Sequence, residues 1–140
     1  MLACERRLIV RTAEAGLKHG GAQEVGVALA ALAETRDWSL RDEQDPNLLY
    51  NLACGRALGA RCGGPDSAGL AAGATDALRH ALARERGPRY RLAASAARDP
   101  DLADLREGPL PAVLAQVTGR RRAVPGLAWQ RGRRFARTLG

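Results

Sequence analysis

The stretch DPNLLYNLACGRALGA, Asp45 to Ala60, decides how this chain is read. It opens on Asp-Pro, holds one interior Arg, and is otherwise Leu, Ala and Gly with two Asn and single Tyr and Cys residues. Asp45 suits a helix N-cap, because its carboxylate can accept from the free amides of the first turn. Pro46 suits the first helical position, where its missing N–H is not needed. A helix with so little charge has no fully solvated face, so it is predicted to pack against neighbours on two sides. Its small residues let those neighbours approach closely.

The rest of the chain supplies such neighbours. Apolar residues recur at Ile9, Ala13 and Leu17, then at Val25, Ala28, Leu29, Leu32 and Ala33, with Gly20-Gly21 breaking the run. That pattern predicts an antiparallel helical hairpin over 2–36. A polar link follows, then the helix from Asp45. RCGGPDS reads as a loop, and a second long helix is expected from about Ala68 to Arg86, stopped by Gly87-Pro88. Residues 46–86 thus form a second hairpin. The block 88–118 reads as a short helix, a turn at Asp99-Pro100 with Asp101 as a cap, and a last helix opening at Pro111 and ending before Gly119.

Composition agrees. The chain has 140 residues, 46% of them hydrophobic but only 4% aromatic, so its core must be built from Ala, Leu and Val. Helix formers dominate and strand formers are scarce, which predicts an all-α domain. Laying 2–36 over 52–86 without gaps gives 11 identities, including Leu2-Ala3-Cys4 with Leu52-Ala53-Cys54 and the ALA at 31–33 with that at 81–83. This suggests an internal repeat.

The net charge is +7, but seven of the 22 basic residues lie after Gly119 with no acid among them, leaving 15 against 15 in the body. The basicity belongs to a tail, 119–140. On a helical wheel Trp129, Phe135 and Leu139 fall on one side of it, and Arg131, Arg133, Arg134 and Arg137 on the other. A capping helix, contact with anionic lipid, and contact with nucleic acid are the readings that arrangement allows, with a cap or plain disorder preferred. The single Lys beside 21 Arg points to a GC-rich coding bias, which weakens Arg as a functional signal. Three cysteines without CxxC spacing fit neither a disulfide framework nor a zinc site. The N-terminus carries Glu5, Arg6 and Arg7 where a signal peptide needs an apolar run, so a cytoplasmic location is expected.

The second hairpin resembles a tetratricopeptide repeat. Leu52 with the small Ala53 matches the family's first helix, and Ala74, Leu78 and Ala81 match the spacing of its second. Departures are a longer inter-helix loop, Arg56 where a large aromatic is usual, and a terminal Pro displaced to Pro88. YNLAC followed by RDPDLADLREGP is similar to the end-of-group tetratricopeptide module of bacterial multi-repeat proteins, often found behind a serine/threonine protein kinase domain. Leu110 stands where that module usually has Phe.

The resemblance implies a right-handed α-solenoid fragment of stacked hairpins whose end segment covers the exposed edge. It implies helix packing through Leu52, Ala53, Ala74, Leu78 and Ala81, and a concave groove for a protein or peptide partner around Tyr50, Asn51 and Arg56. The function expected is a non-enzymatic protein–protein interaction module. The alternative is a docking remnant of a serine/threonine kinase.

The sequence shows no catalytic pattern. RDP at 98–100 lacks the Gly-rich loop and metal-binding motif of a kinase, and GARCGGPDSAG has no GK[ST] to cradle phosphate. His19 and His80 stand apart without acid or Cys at ligand spacing. Asp99, Asp101 and Asp104 lack calcium-loop spacing and fit a turn and cap. No cofactor and no metal are expected.

Overall fold

The computed structural model describes residues 2–85 and 91–122, with side chains described through residue 116. Among these residues it is all-helical: seven α-helices, two single 3-10 turns and no strand. The helices are α1 (Ala3–His19), α2 (Ala22–Glu34), α3 (Pro46–Arg61), α4 (Ser67–Arg84), α5 (Arg91–Ala96), α6 (Ala103–Arg106) and α7 (Leu110–Arg122). The 3-10 turns follow α2 at Thr35–Asp37 and precede α6 at Pro100–Leu102. No described helix is long and apolar enough to cross a membrane.

Helix α3 is the hub. It packs most extensively on α4, then on α1, and also touches α2 and the 3-10 turn at 100–102. Almost every residue from Leu48 to Ala57 is buried, which accounts for the lack of charge. Its start follows the local chemistry: the Asp45 carboxylate accepts from the amides of Asn47 at 2.9 Å and Leu48 at 3.4 Å. It ends where Gly63 adopts a left-handed conformation, φ 69°, that a side chain would resist. The Ser67 hydroxyl donates to the Ala60 carbonyl at 2.6 Å and ties the start of α4 to that end.

Close approach sets the packing. A Cβ at Gly59 would lie 3.1 Å from both Leu32 and Leu70, so the bare backbone there lets α2 and α4 reach α3 together. Ala53, Ala74, Leu78 and Ala81 are fully buried and Leu52 nearly so, with Leu32 and Leu82 extending the same core. Burying each Leu contributes roughly 1.5–3 kcal/mol relative to exposure.

Polar contacts hold the remaining segments on this core. The link between hairpins is clasped from both sides. Arg6 pairs with Glu43 at 3.1 Å and lies over the Trp38 ring at 5.5 Å, while Arg7 pairs with Asp45 at 2.8 Å. From α4, Arg84 donates to the carbonyls of Arg41 and Glu43.

Two expectations are corrected. The ungapped alignment of 2–36 with 52–86 does not correspond to the helices. It sets the start of α1 on the middle of α3, and the Gly20-Gly21 break on residues 70 and 71 inside α4. Leu2, Ala3 and Cys4 are exposed, whereas Leu52, Ala53 and Cys54 are core. Register is kept only toward the ends of α2 and α4, because the links preceding these two helices differ in length. Gly119 lies within α7, which runs to Arg122; a single Gly weakens a helix by about 1 kcal/mol without ending it. The expected helix stop at Gly87-Pro88 and the arginines at 131, 133, 134 and 137 lie outside the described residues.

Candidate functional site

The seam between α1 and α3 brings together a row of polar side chains from both helices. Arg7, Arg11, Glu14 and Lys18 recur along α1 at spacings of three and four, so they share one face. Asn47, Asn51 and Cys54 do the same on α3.

At one end of the seam is a cleft of about 190 Å³ lined by Arg7, Val10, Arg11, Asp45, Asn47, Leu48 and Asn51. Val10 and Leu48 are buried and form its apolar floor. Arg7 is held by Asp45, its Nε and Nη2 donating to Oδ2 at 3.1 and 2.8 Å. Arg11 is exposed and Asn51 half-buried, and among the described residues neither side chain makes a hydrogen bond. Of the three groove residues expected from sequence, only Asn51 is presented to solvent.

Tyr50 and Arg56 are corrections. Arg56 is 4% exposed and serves as an internal tie. Its guanidinium donates to the Thr35 carbonyl at 3.0 Å, to the Thr35 hydroxyl at 3.1 and 3.3 Å, and to the Gly73 carbonyl at 3.1 Å. It satisfies backbone acceptors at the end of α2 and within α4. Gly73 makes room, since a Cβ there would lie 3.3 Å from the Arg56 Cδ. Burial lowers the guanidinium's proton affinity, against the opposing pull of the Asp76 carboxylate.

Tyr50 is 8% exposed and points to the other end of the seam. Its hydroxyl donates to Asp99 Oδ2 at 2.9 Å, and the Cys54 thiol, one turn on, donates to the same oxygen at 3.7 Å. The other Asp99 oxygen accepts from the Asp101 amide at 3.0 Å, so Asp99, not Asp101, caps the 3-10 turn. Asp101 instead accepts from Lys18 of α1 at 2.8 Å, and Asp104 from Arg61 at the end of α3 at 2.9 Å. Arg61 also donates to the Pro100 carbonyl at 2.6 Å. Each acid of DPDLAD therefore has a partner on α1 or α3. In this chain Tyr50 and Cys54 of YNLAC thus bond Asp99 of DPDL.

The electrostatics follow from this crowding. Burial, with Asp101 and Asp99 nearby, raises Glu14 to about 7 against the opposing pull of Lys18 and Arg11. Burial, then Asp99, pushes the Cys54 thiol well up, and burial does the same for the Tyr50 phenol. Lys18 is raised mainly by its bond to Asp101. Cys54 Sγ and the carboxylates of Asp99 and Asp101 lie within 4.8 Å of one another, a grouping that could offer three ligand atoms to a cation. A cation there would have to displace both the Lys18 ammonium and the thiol proton.

Elsewhere, His80 lies 3.7 Å from Asp76 one turn away on α4, and His19 lines an open groove between α1 and α2. No local pattern announces the Tyr50–Asp99 and Lys18–Asp101 pairs, whose partners lie 49 and 83 positions apart. No protein-family model, curated protein or solved structure matches the chain.

Proposed function

We propose that the chain is a non-enzymatic protein–protein interaction module, a short tetratricopeptide-like stack that holds an extended peptide segment in the α1/α3 cleft. Support for the stack comes from the packing order. Hairpin α1–α2 lies on hairpin α3–α4 through contacts of both α1 and α2 with α3. The acid-clasped segment 99–106 closes the other end of the α1/α3 seam.

The observation that carries the binding role is the cleft itself. Arg11, Asn47 and Asn51 surround an apolar floor with side-chain hydrogen-bonding capacity that no described residue takes up. An amide both donates and accepts, so the two Asn side chains suit a peptide backbone, which offers one of each per residue. Arg11 adds a preference for a nearby carboxylate.

The test is a displayed library of random peptides selected on the full chain. Selected peptides should bind Asn51→Ala and Arg11→Ala at least tenfold more weakly, with the far-ultraviolet circular dichroism unchanged. Peptides that bind both variants as they bind the parent would remove the cleft assignment.

A further inference from the structure

Where the acids of DPDLAD clasp the end segment to α1 and α3, a further carboxyl lies among them. Glu14 is half-buried on α1 and is seated where α3 has no side chain; a Cβ at Gly55 would lie 3.6 Å from its Cγ. The groups that face it are Lys18 and Arg11 on α1, the Cys54 thiol on α3, and the carboxylates of Asp99 and Asp101 from the end segment. Among the described residues, the Glu14 carboxyl makes no hydrogen bond or ion pair.

One ammonium therefore has two claimants. Lys18 bonds Asp101 at 2.8 Å across the seam, yet its side chain is 39% exposed and free to turn. It also stands four residues after Glu14, the spacing and order at which an acid and a lysine pair along a helix. While Glu14 keeps its proton, the clasp on Asp101 is uncontested. Once ionised, Glu14 attracts the same ammonium and repels both end-segment carboxylates. We propose that Glu14 operates a pH-dependent latch: its ionisation draws Lys18 from Asp101 and loosens the end segment 99–106 from the α1/α3 seam.

The change falls near neutrality, because burial, with Asp101 and Asp99 close by, raises Glu14 from 4.5 to about 7. The closed segment favours the proton. Closure is therefore tightest below about 4.5, weakens as pH rises, and levels off above about 7. Other contacts limit the opening. Leu102 and Leu105 are buried, and Arg61 still holds Asp104 and the Pro100 carbonyl, so the segment loosens without leaving. The part released is the turn around Asp99 and Asp101, which covers Tyr50 and Cys54 when shut.

Amide hydrogen exchange of the full chain, expressed as protection factors between about pH 5 and pH 8, tests this. Protection in 99–106 should fall by about tenfold or more over that range. The fall should be insensitive to urea below about 1 M, the mark of a local opening that exposes little surface. Glu14→Gln, folded as judged by circular dichroism, should abolish it. As an independent readout, the carbon-13 signal of the Glu14 carboxyl should titrate near pH 7. Protection that is flat in the parent, or a fall that survives in Glu14→Gln, would overturn the latch. So would a fall that steepens with urea as it does in α4, which would make it global unfolding, or a Glu14 signal that titrates below about pH 5. None of these results bears on the peptide cleft, which lies at the other end of the seam.

Discussion

Replacing Glu14 with Gln should stabilise the protein at pH 8 and have almost no effect at pH 4.5. Glu14 sits half-buried in the α1/α3 seam. Asp99 and Asp101 face it from the end segment and Cys54 from α3, while Lys18 and Arg11 flank it on α1. Its carboxyl is raised from 4.5 to about 7 in the folded chain, so the folded state holds the proton more tightly than the unfolded state. Stability from this group is therefore complete below about pH 4.5, falls as pH rises, and is lost above about pH 7.

At 1.36 kcal/mol per pH unit the full shift would amount to about 3.4 kcal/mol. Partial exposure to water reduces this to about 1–2 kcal/mol. Gln keeps the shape and cannot ionise. Urea unfolding of both proteins from pH 4.5 to 8.5 should show curves that coincide at the acid end and separate by about 1–2 kcal/mol above pH 7. A difference that is constant with pH, or that favours the parent at pH 8, would refute the reasoning that burial dominates at Glu14.

Other perturbations probe the packing and the latch. Arg56→Ala leaves the Thr35 and Gly73 carbonyls without their donor and opens a void, so a loss of about 3–5 kcal/mol is expected. Arg56→Met, which fills the space, should lose less than half of that; equal losses would deny the role of packing. Tyr50→Phe removes one hydrogen bond to the Asp99 carboxylate and should cost about 1.5–3 kcal/mol. It should also raise amide exchange in 99–106 while leaving α2 protected. Cys54, buried and with its thiol held protonated beside Asp99, should react with a disulfide reagent at pH 8 far more slowly than exposed Cys4 and Cys62. Three equal rates would contradict the placement of Cys54.

Much of the architecture was legible because its causes are local. Asp45-Pro46 marks the start of α3, and the near absence of charge after it announces burial on several sides. The spacing of Ala74, Leu78 and Ala81 marks the buried stripe of α4. Arg56 was misread because the sequence shows a charge but not the two backbone acceptors that surround it. Tyr50 was misread for a related reason: its partner Asp99 is brought near only by the folding back of the end segment. The identities between 2–36 and 52–86 misled because Ala and Leu recur in any helix of this composition, whereas helix register depends on loop length. Asn51 is half-buried and lines the cleft, since it faces away from the Leu52-Ala53 packing surface. Its cleft neighbours Arg7 and Arg11 were missed, as nothing in the chain's order announces that α1 lies beside α3.

The most direct measurement is amide hydrogen exchange of the full chain with and without a peptide selected on it. Slowed exchange should concentrate in the α1 stretch from Arg7 to Lys18 and in the first two turns of α3 around Asn47 and Asn51. Protection confined to α4 or α5, or failure of any peptide to bind in a way that depends on Asn51, would contradict the assignment of the α1/α3 cleft as the binding surface.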